Sequence, residues 1–169
     1  MKQLGPRLER EILQIRLKEF GQRHQETLQA MRHLSITMTG RGMDVQSERL
    51  LSTTLQVASQ ITGYNEEDLS STKVRVAEVL VKLGRYEEAK GMLQDELRVS
   101  WSKYGMLRPG LLLANDSLAK SLRDTEQLEE SLLLSHENVR RYLQDMGATH
   151  PDSLVTVDNN TKVMAKLGC

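Results

Sequence analysis

Gly21, Gly63, Gly105 and Gly147 stand 42 residues apart, and Gly42, Gly84 and Gly168 form a second comb on the same period, with Glu126 in its one vacant slot. Seven of the eleven glycines therefore sit on two registers of one repeat. Five residues behind the second comb a small side chain recurs, as Ser47, Ala89 and Ser131. Just after the first comb the chain breaks again, at "RHQETL" (23–28), "NEEDLSS" (65–71), "RPGLLL" (108–113) and "HPDSL" (150–154). A chain punctuated twice per period has room for two helices of roughly 16–18 residues in each, joined by alternating short turns.

The physical reason for the small slot is close approach. Two antiparallel helices joined by a tight turn can cross closely only where a side chain is small. The glycine before it supplies a left-handed backbone at the helix end without steric cost. Glu126 departs from that rule, so its turn is expected to be looser or of another type, and Gly42, preceded by Gly40, is expected to fray. Apolar residues recur at helical spacing in both helices of each unit. Leu28, Met31, Leu34 and Met38 make one stripe, Val76, Val79, Leu80 and Leu83 another, and Leu118 and Leu122 a third. Second helices carry Leu50, Leu51, Leu55 and Ala58; Met92, Leu93, Leu97 and Trp101; and Leu132, Val139, Tyr142 and Leu143. No helix of this kind buries its face alone, but stacked neighbours share one core.

Composition narrows the function. With 23 basic and 23 acidic residues the formal net charge is zero, which excludes the bulk basic excess that binds nucleic acid or anionic membrane. No window approaches ~18 consecutive apolar residues, and "MKQLGPRLEREILQ" is too charged for a secretory signal. The lone Cys169 forms no internal disulfide and does not sit in a prenylation box. A cytoplasmic protein is expected, so the two glycosylation sequons at Asn115 and Asn159 count as chance. Nothing points to catalysis or to a cofactor. His24 and His150 share a repeat slot and are expected to start helices, and no histidine pair has zinc-ligand spacing. No nucleophile elbow or phosphate-binding glycine loop is present. The acidic pairs Glu66-Glu67, Glu87-Glu88 and Glu129-Glu130 lie at helix starts, where negative charge meets the positive end of the helix dipole.

The corner "RYEEA" (85–89) and the opening "HPDSL" (150–154), held in fixed register, resemble the tetratricopeptide repeat, in the long variety of kinesin light chains. HEAT and armadillo units have similar lengths but lack this corner. The family's asparagine-leucine-alanine core is matched by His33-Leu34-Ser35, Arg75-Val76-Ala77, Ser117-Leu118-Ala119 and Asn159-Asn160-Thr161. The resemblance implies an all-α, right-handed α-solenoid of about eight antiparallel helices in a single repeat domain over residues 1–169. It comprises a partial unit (1–21), repeats 22–63, 64–105 and 106–147, and a terminal helix (148–169). On this framing the polar Asn160 is expected to be a solvent-facing cap.

It also implies a non-catalytic interaction module whose first helices line a concave groove for a peptide or protein segment. Carried onto this chain, the groove residues are Arg32, His33, Arg75, Lys82, Ser117, Lys120, Arg123, Asn159 and Lys162, with Lys166 beside them and Glu78, Asp116, Asp124 and Asp158 opposed. That basic lean suits an acidic or phosphorylated peptide or a carboxylate terminus. Two other roles fit the same fold. One is head-to-tail self-assembly into a homo-oligomer through Ile12, Leu13 and Leu17, since the chain is four periods and one residue long. The other is a sensor segment of a larger signalling ATPase.

Overall fold

The computed structural model describes residues 4–104 and 109–168, with the side chains of 4–6, 101, 104, 109, 145 and 152 left aside. Gly105 and Cys169, and the side chain of Trp101, thus lie outside the described set. The described residues form eight α-helices and no strand: α1 (Leu4–Phe20), α2 (Gln25–Thr39), α3 (Asp44–Ser59), α4 (Glu66–Lys82), α5 (Tyr86–Tyr104), α6 (Pro109–Asp124), α7 (Leu128–Met146) and α8 (Pro151–Leu167). The chain divides into two compact units, residues 1–83 and 84–169. In the first, α1 packs on α2, α2 on α3 and α3 on α4; in the second, α5 packs on α6, α6 on α7 and α7 on α8.

α2 and α4 start on side-chain caps, whereas α3 and α7, which follow Met43 and Gln127, have none. The Asn65 side-chain oxygen accepts from the backbone N–H groups of Glu67 (2.8 Å) and Asp68 (3.0 Å). His24 does the same for α2, its Nδ1 accepting from the Glu26 N–H at 3.3 Å while its ring stacks on Phe20. His150 precedes α8, its carbonyl accepting from the Leu154 N–H at 3.1 Å.

Every described glycine of the two combs has a positive φ, between 74° and 84°. Glu126 joins them at φ 64°, so the expectation of a different turn there is overturned. The two corners are the same motif. At Gly42, Met43 N–H donates to the Met38 carbonyl (3.0 Å) and Gly42 N–H to Thr39 (3.2 Å); at Glu126, Gln127 N–H donates to Leu122 (2.9 Å) and Glu126 N–H to Arg123 (3.2 Å). These are the paired bonds of a Schellman cap. Gly42 is held in this network rather than frayed. At Glu126 the hairpin imposes the geometry on a residue that resists it. Replacing Glu126 with glycine removes a left-handed penalty of roughly 1–2 kcal/mol and a carboxylate from the negative end of α6. Greater freedom of glycine in the unfolded chain offsets about 0.4–1 kcal/mol of that. The net expectation is a gain of about 0.5–1 kcal/mol, read as a melting temperature raised by roughly 1–4 °C; no rise would mean the corner is not strained.

Behind each corner the small residue is fully buried: Ser47, Ala89 and Ser131. The two serines do more than leave space. Ser47 Oγ donates to the Ser35 carbonyl at 2.8 Å, and Ser131 Oγ donates to the Ala119 carbonyl at 2.7 Å, an equivalent bond two periods on. A side-chain atom reaching the partner helix's main chain fixes how closely α2 and α3, and α6 and α7, approach.

The apolar stripes fill the cores as expected, with two corrections. Leu143 is exposed, whereas Tyr142 beside it is fully buried. Asn160 is buried and its Nδ2 donates to Ser135 Oγ at 2.9 Å, so it is an internal hydrogen-bonding residue and not a solvent-facing cap.

Candidate peptide-docking surface

The first helices α2 and α4 of the first unit, and α6 and α8 of the second, carry all nine candidate residues. Helical periodicity puts positions three or four apart on one face. On α6 the exposed positions Leu113, Ser117 and Lys120 follow that spacing, and on α8 the equivalents one period later are Val155, Asn159 and Lys162. Packing brings α6 and α8 together in the second unit. Thr156 Oγ1 donates to Asp116 Oδ2 at 2.7 Å, and Lys166 Nζ to the Arg123 carbonyl at 3.4 Å.

In the second unit Lys120 is exposed, with no ion pair among the described residues, and Lys162 is exposed and paired with Asp158 one turn away. Ser117 is exposed, its hydroxyl donating to the Leu113 carbonyl at 3.0 Å, and Asn159 is half-buried. Arg123, counted from sequence among the open cations, is instead buried. Its Nε donates to Asp124 Oδ1 at 3.2 Å, and its Nη1 has no hydrogen-bond partner among the described residues. Asp116 is likewise occupied, accepting from Asn138 Nδ2 at 2.7 Å as well as from Thr156.

In the first unit His33 is exposed, and Arg75 is exposed and paired with Glu78 at 2.7 Å. Arg32 is largely withdrawn from solvent, held by Asp68 at 2.9 Å. Gln25 also donates to that carboxylate, at 3.2 Å. This pair acts on Tyr64: burial pushes its hydroxyl above the ordinary range, the Asp68 carboxylate adds to the rise, and Arg32 opposes it. Lys82 donates to the Thr39 carbonyl at 3.4 Å, two periods before the Lys166–Arg123 contact. Both lysines thus place an ammonium at the negative end of the preceding first helix. Arg32, Lys82 and Arg123 are engaged within the fold.

Sequence reasoning missed Leu113 and Val155, which are exposed and lie one period apart beside Ser117 and Asn159. The comb arithmetic could have found them, since the same register in the first unit holds Gln29 and Ser71. It also missed a depression of about 420 Å³ on the second helices α5 and α7, lined by Gln94, Leu97, Arg98, Ser102, Glu137 and Arg141. There Arg141 is paired with Glu137 and Arg98 with Asp95, so its charges are internally balanced. Among the described residues no group of three or more histidines, cysteines or carboxylates is placed to hold a metal, and no helix is long and apolar enough to cross a membrane.

No protein-family description and no curated protein matches the chain. Solved structures do. A kinesin light chain-like protein of Podosopora anserina with nearly identical TPR-like repeats superposes with a TM-score of 0.78 at 18% identity, over 99% of this chain and 79% of that one. A variant of the same protein gives 0.80 over the same shares. BtubC (BKLC) of P. vanneervenii gives 0.69 at 13% identity, over 96% of this chain and 63% of that one. Helix count, corner geometry and superposition agree that the chain has the tetratricopeptide-like repeat fold of the kinesin light chain type.

Proposed function

We propose that the chain is a non-catalytic protein-interaction module that holds an extended peptide or protein segment against the exposed face of its first helices. The observation that carries this reading is the composition of the α6–α8 face. Exposed apolar Leu113 and Val155 stand at one level, and the ammonium groups of Lys120 and Lys162 stand two turns along, each pair one period apart. An extended segment needs an apolar foothold and a charged anchor, and this face offers both. Lys120 is uncommitted, while the Lys162–Asp158 pair is exposed and therefore exchanges readily for a ligand carboxylate or phosphate. The ligand on this reading is an acidic or phosphorylated segment with an apolar side chain nearby. Arg32 and Arg123 support the fold and not the ligand.

A displayed library of random peptides selected on the chain is expected to enrich sequences pairing an acidic with an apolar residue. Changing Lys120 and Lys162 together to glutamate reverses two exposed charges, and should weaken the enriched peptides by at least about tenfold, or about 1.4 kcal/mol. The melting temperature should hold, because neither residue is buried. Unchanged affinity by calorimetry would remove this face from consideration.

A further inference from the structure

Because the repeat recurs within the chain, each position can be compared with its equivalents, and two exposed faces emerge as halves of an interface the protein already forms. On α2, Leu28 and Met31 are 1% and 5% exposed, buried in a cluster to which Leu50 and Val57 of α3 contribute. Two periods on, Leu112 and Asn115 of α6 are fully buried, and Asn115 bonds to Asn138 of α7. On α8 the equivalent residues are Leu154 and Val157, and they are 58% and 40% exposed. Thr161, equivalent to the buried Ser35, is exposed beside them. This face of α8 has the register that elsewhere is covered by a second helix.

The complementary face is on α1. Leu8, Ile12 and Ile15 stand one period before Leu50, Thr54 and Val57, of which Leu50 and Val57 pack on the Leu28–Met31 cluster and Thr54 is buried, and they are 57%, 38% and 54% exposed. They lie at i, i+4 and i+7, one stripe of the helix. Gly5 occupies the small-residue slot shared by Ser47, Ala89 and Ser131. Leu13, expected from sequence to be open for assembly, instead packs inward on the Leu28–Met31 cluster, and Leu17 is exposed.

We infer that a second copy of this chain is the occupant: α1 of one copy lies on α8 of the next, with Leu8, Ile12 and Ile15 against Leu154 and Val157. At the level where α6 and α7 pair Asn115 with Asn138, this contact pairs Val157 with Ile12, apolar on apolar. The contact is head-to-tail, so each addition leaves one α1 face and one α8 face open. It is independent of the peptide-docking face.

The test is sedimentation of the 169-residue chain from about 1 µM to about 1 mM, the range a contact of one helix pair requires. The average mass is expected to rise past twice that of the chain. Ile12→Glu blocks the α1 face and Val157→Glu the α8 face, so each variant alone should stay at the monomer mass. Mixed in equal amounts they should form a one-to-one pair and grow no further. A wild-type chain that stays monomeric throughout, a variant that still grows, or a mixture that stays monomeric would each overturn the inference. Should either variant fold poorly, Ile12→Cys and Val157→Cys chains in a Cys169→Ser background provide a second reading. Oxidation is expected to cross-link the two chains to each other, and absence of the cross-link would overturn the inference as well.

Discussion

Replacing Ser131 with leucine is expected to cost roughly 3–5 kcal/mol and lower the melting temperature by roughly 6–20 °C. Ser131 is fully buried, with its hydroxyl 2.7 Å from the main-chain carbonyl of Ala119 on the facing helix. Three added carbon atoms therefore have nowhere to go but into the α6 backbone. Overpacking of a tight site costs about 1–3 kcal/mol, and prying two helices apart uncovers neighbouring apolar surface in addition. The lost hydrogen bond contributes only about 1 kcal/mol, because Ala119's carbonyl still has its place in the helix ladder. Ser131→Ala isolates that smaller part and should cost no more than about 1 kcal/mol, partly offset by alanine's better helix propensity. Ser47→Leu should repeat the pattern between α2 and α3, where the hydroxyl reaches Ser35. Urea unfolding of these three variants and Ser47→Ala decides the matter. A leucine variant within 1 kcal/mol of its alanine counterpart would show that close approach is not what the slot enforces.

How far the sequence could be read follows from which forces are local and periodic. The corners were legible because a left-handed residue is a local requirement, and glycine meets it at every described comb position except 126. Glu126 was misjudged for the same reason. Propensity says what a residue prefers, whereas the helices flanking 126 dictate what it adopts, and they impose φ 64°. The serine slot was read as steric, since spacing reveals that a side chain is small but not that its hydroxyl finds a carbonyl twelve positions back. The candidate site was legible in position and less so in availability. Register placed all nine residues on first helices, yet it could not show that Arg32 is held by Asp68, that Lys82 reaches the Thr39 carbonyl, or that Arg123 is buried. Those partners lie on neighbouring repeats or are set by rotamer choice, which a periodic pattern does not encode. Leu113 and Val155 were overlooked because a leucine or valine in a helical run reads as core. Only their exposure separates them from Leu112 and Leu154's buried equivalent, Leu28.

Truncating Asn138 to alanine is the second change expected to have a large effect, about 2–4 kcal/mol. Asn138 is fully buried where three helices meet. Its Oδ1 accepts from Asn115 Nδ2 at 2.5 Å, and its Nδ2 donates to Asp116 Oδ1 at 2.7 Å, while Asp116 also takes the Thr156 hydroxyl. Asn115 is itself fully buried, with its Oδ1 unpartnered among the described residues, so losing Asn138 strands the amide's donor as well. An unpaired buried amide costs about 1–3 kcal/mol, and the vacated volume adds a cavity. The chain contains its own control, because the equivalent positions in the first unit are Met31 and Thr54, both buried without such a network. Transplanting that pair as Asn115→Met with Asn138→Thr removes both amides together, and should recover more than half of the loss seen with Asn138→Ala. A double-mutant cycle on Asn115 and Asn138 should then give a coupling above about 1 kcal/mol. Additive losses would mean that the two amides act separately. A bond joining α6 to α7, and through Asp116 to α8, would in that case contribute nothing to holding the Lys120–Lys162 face in place.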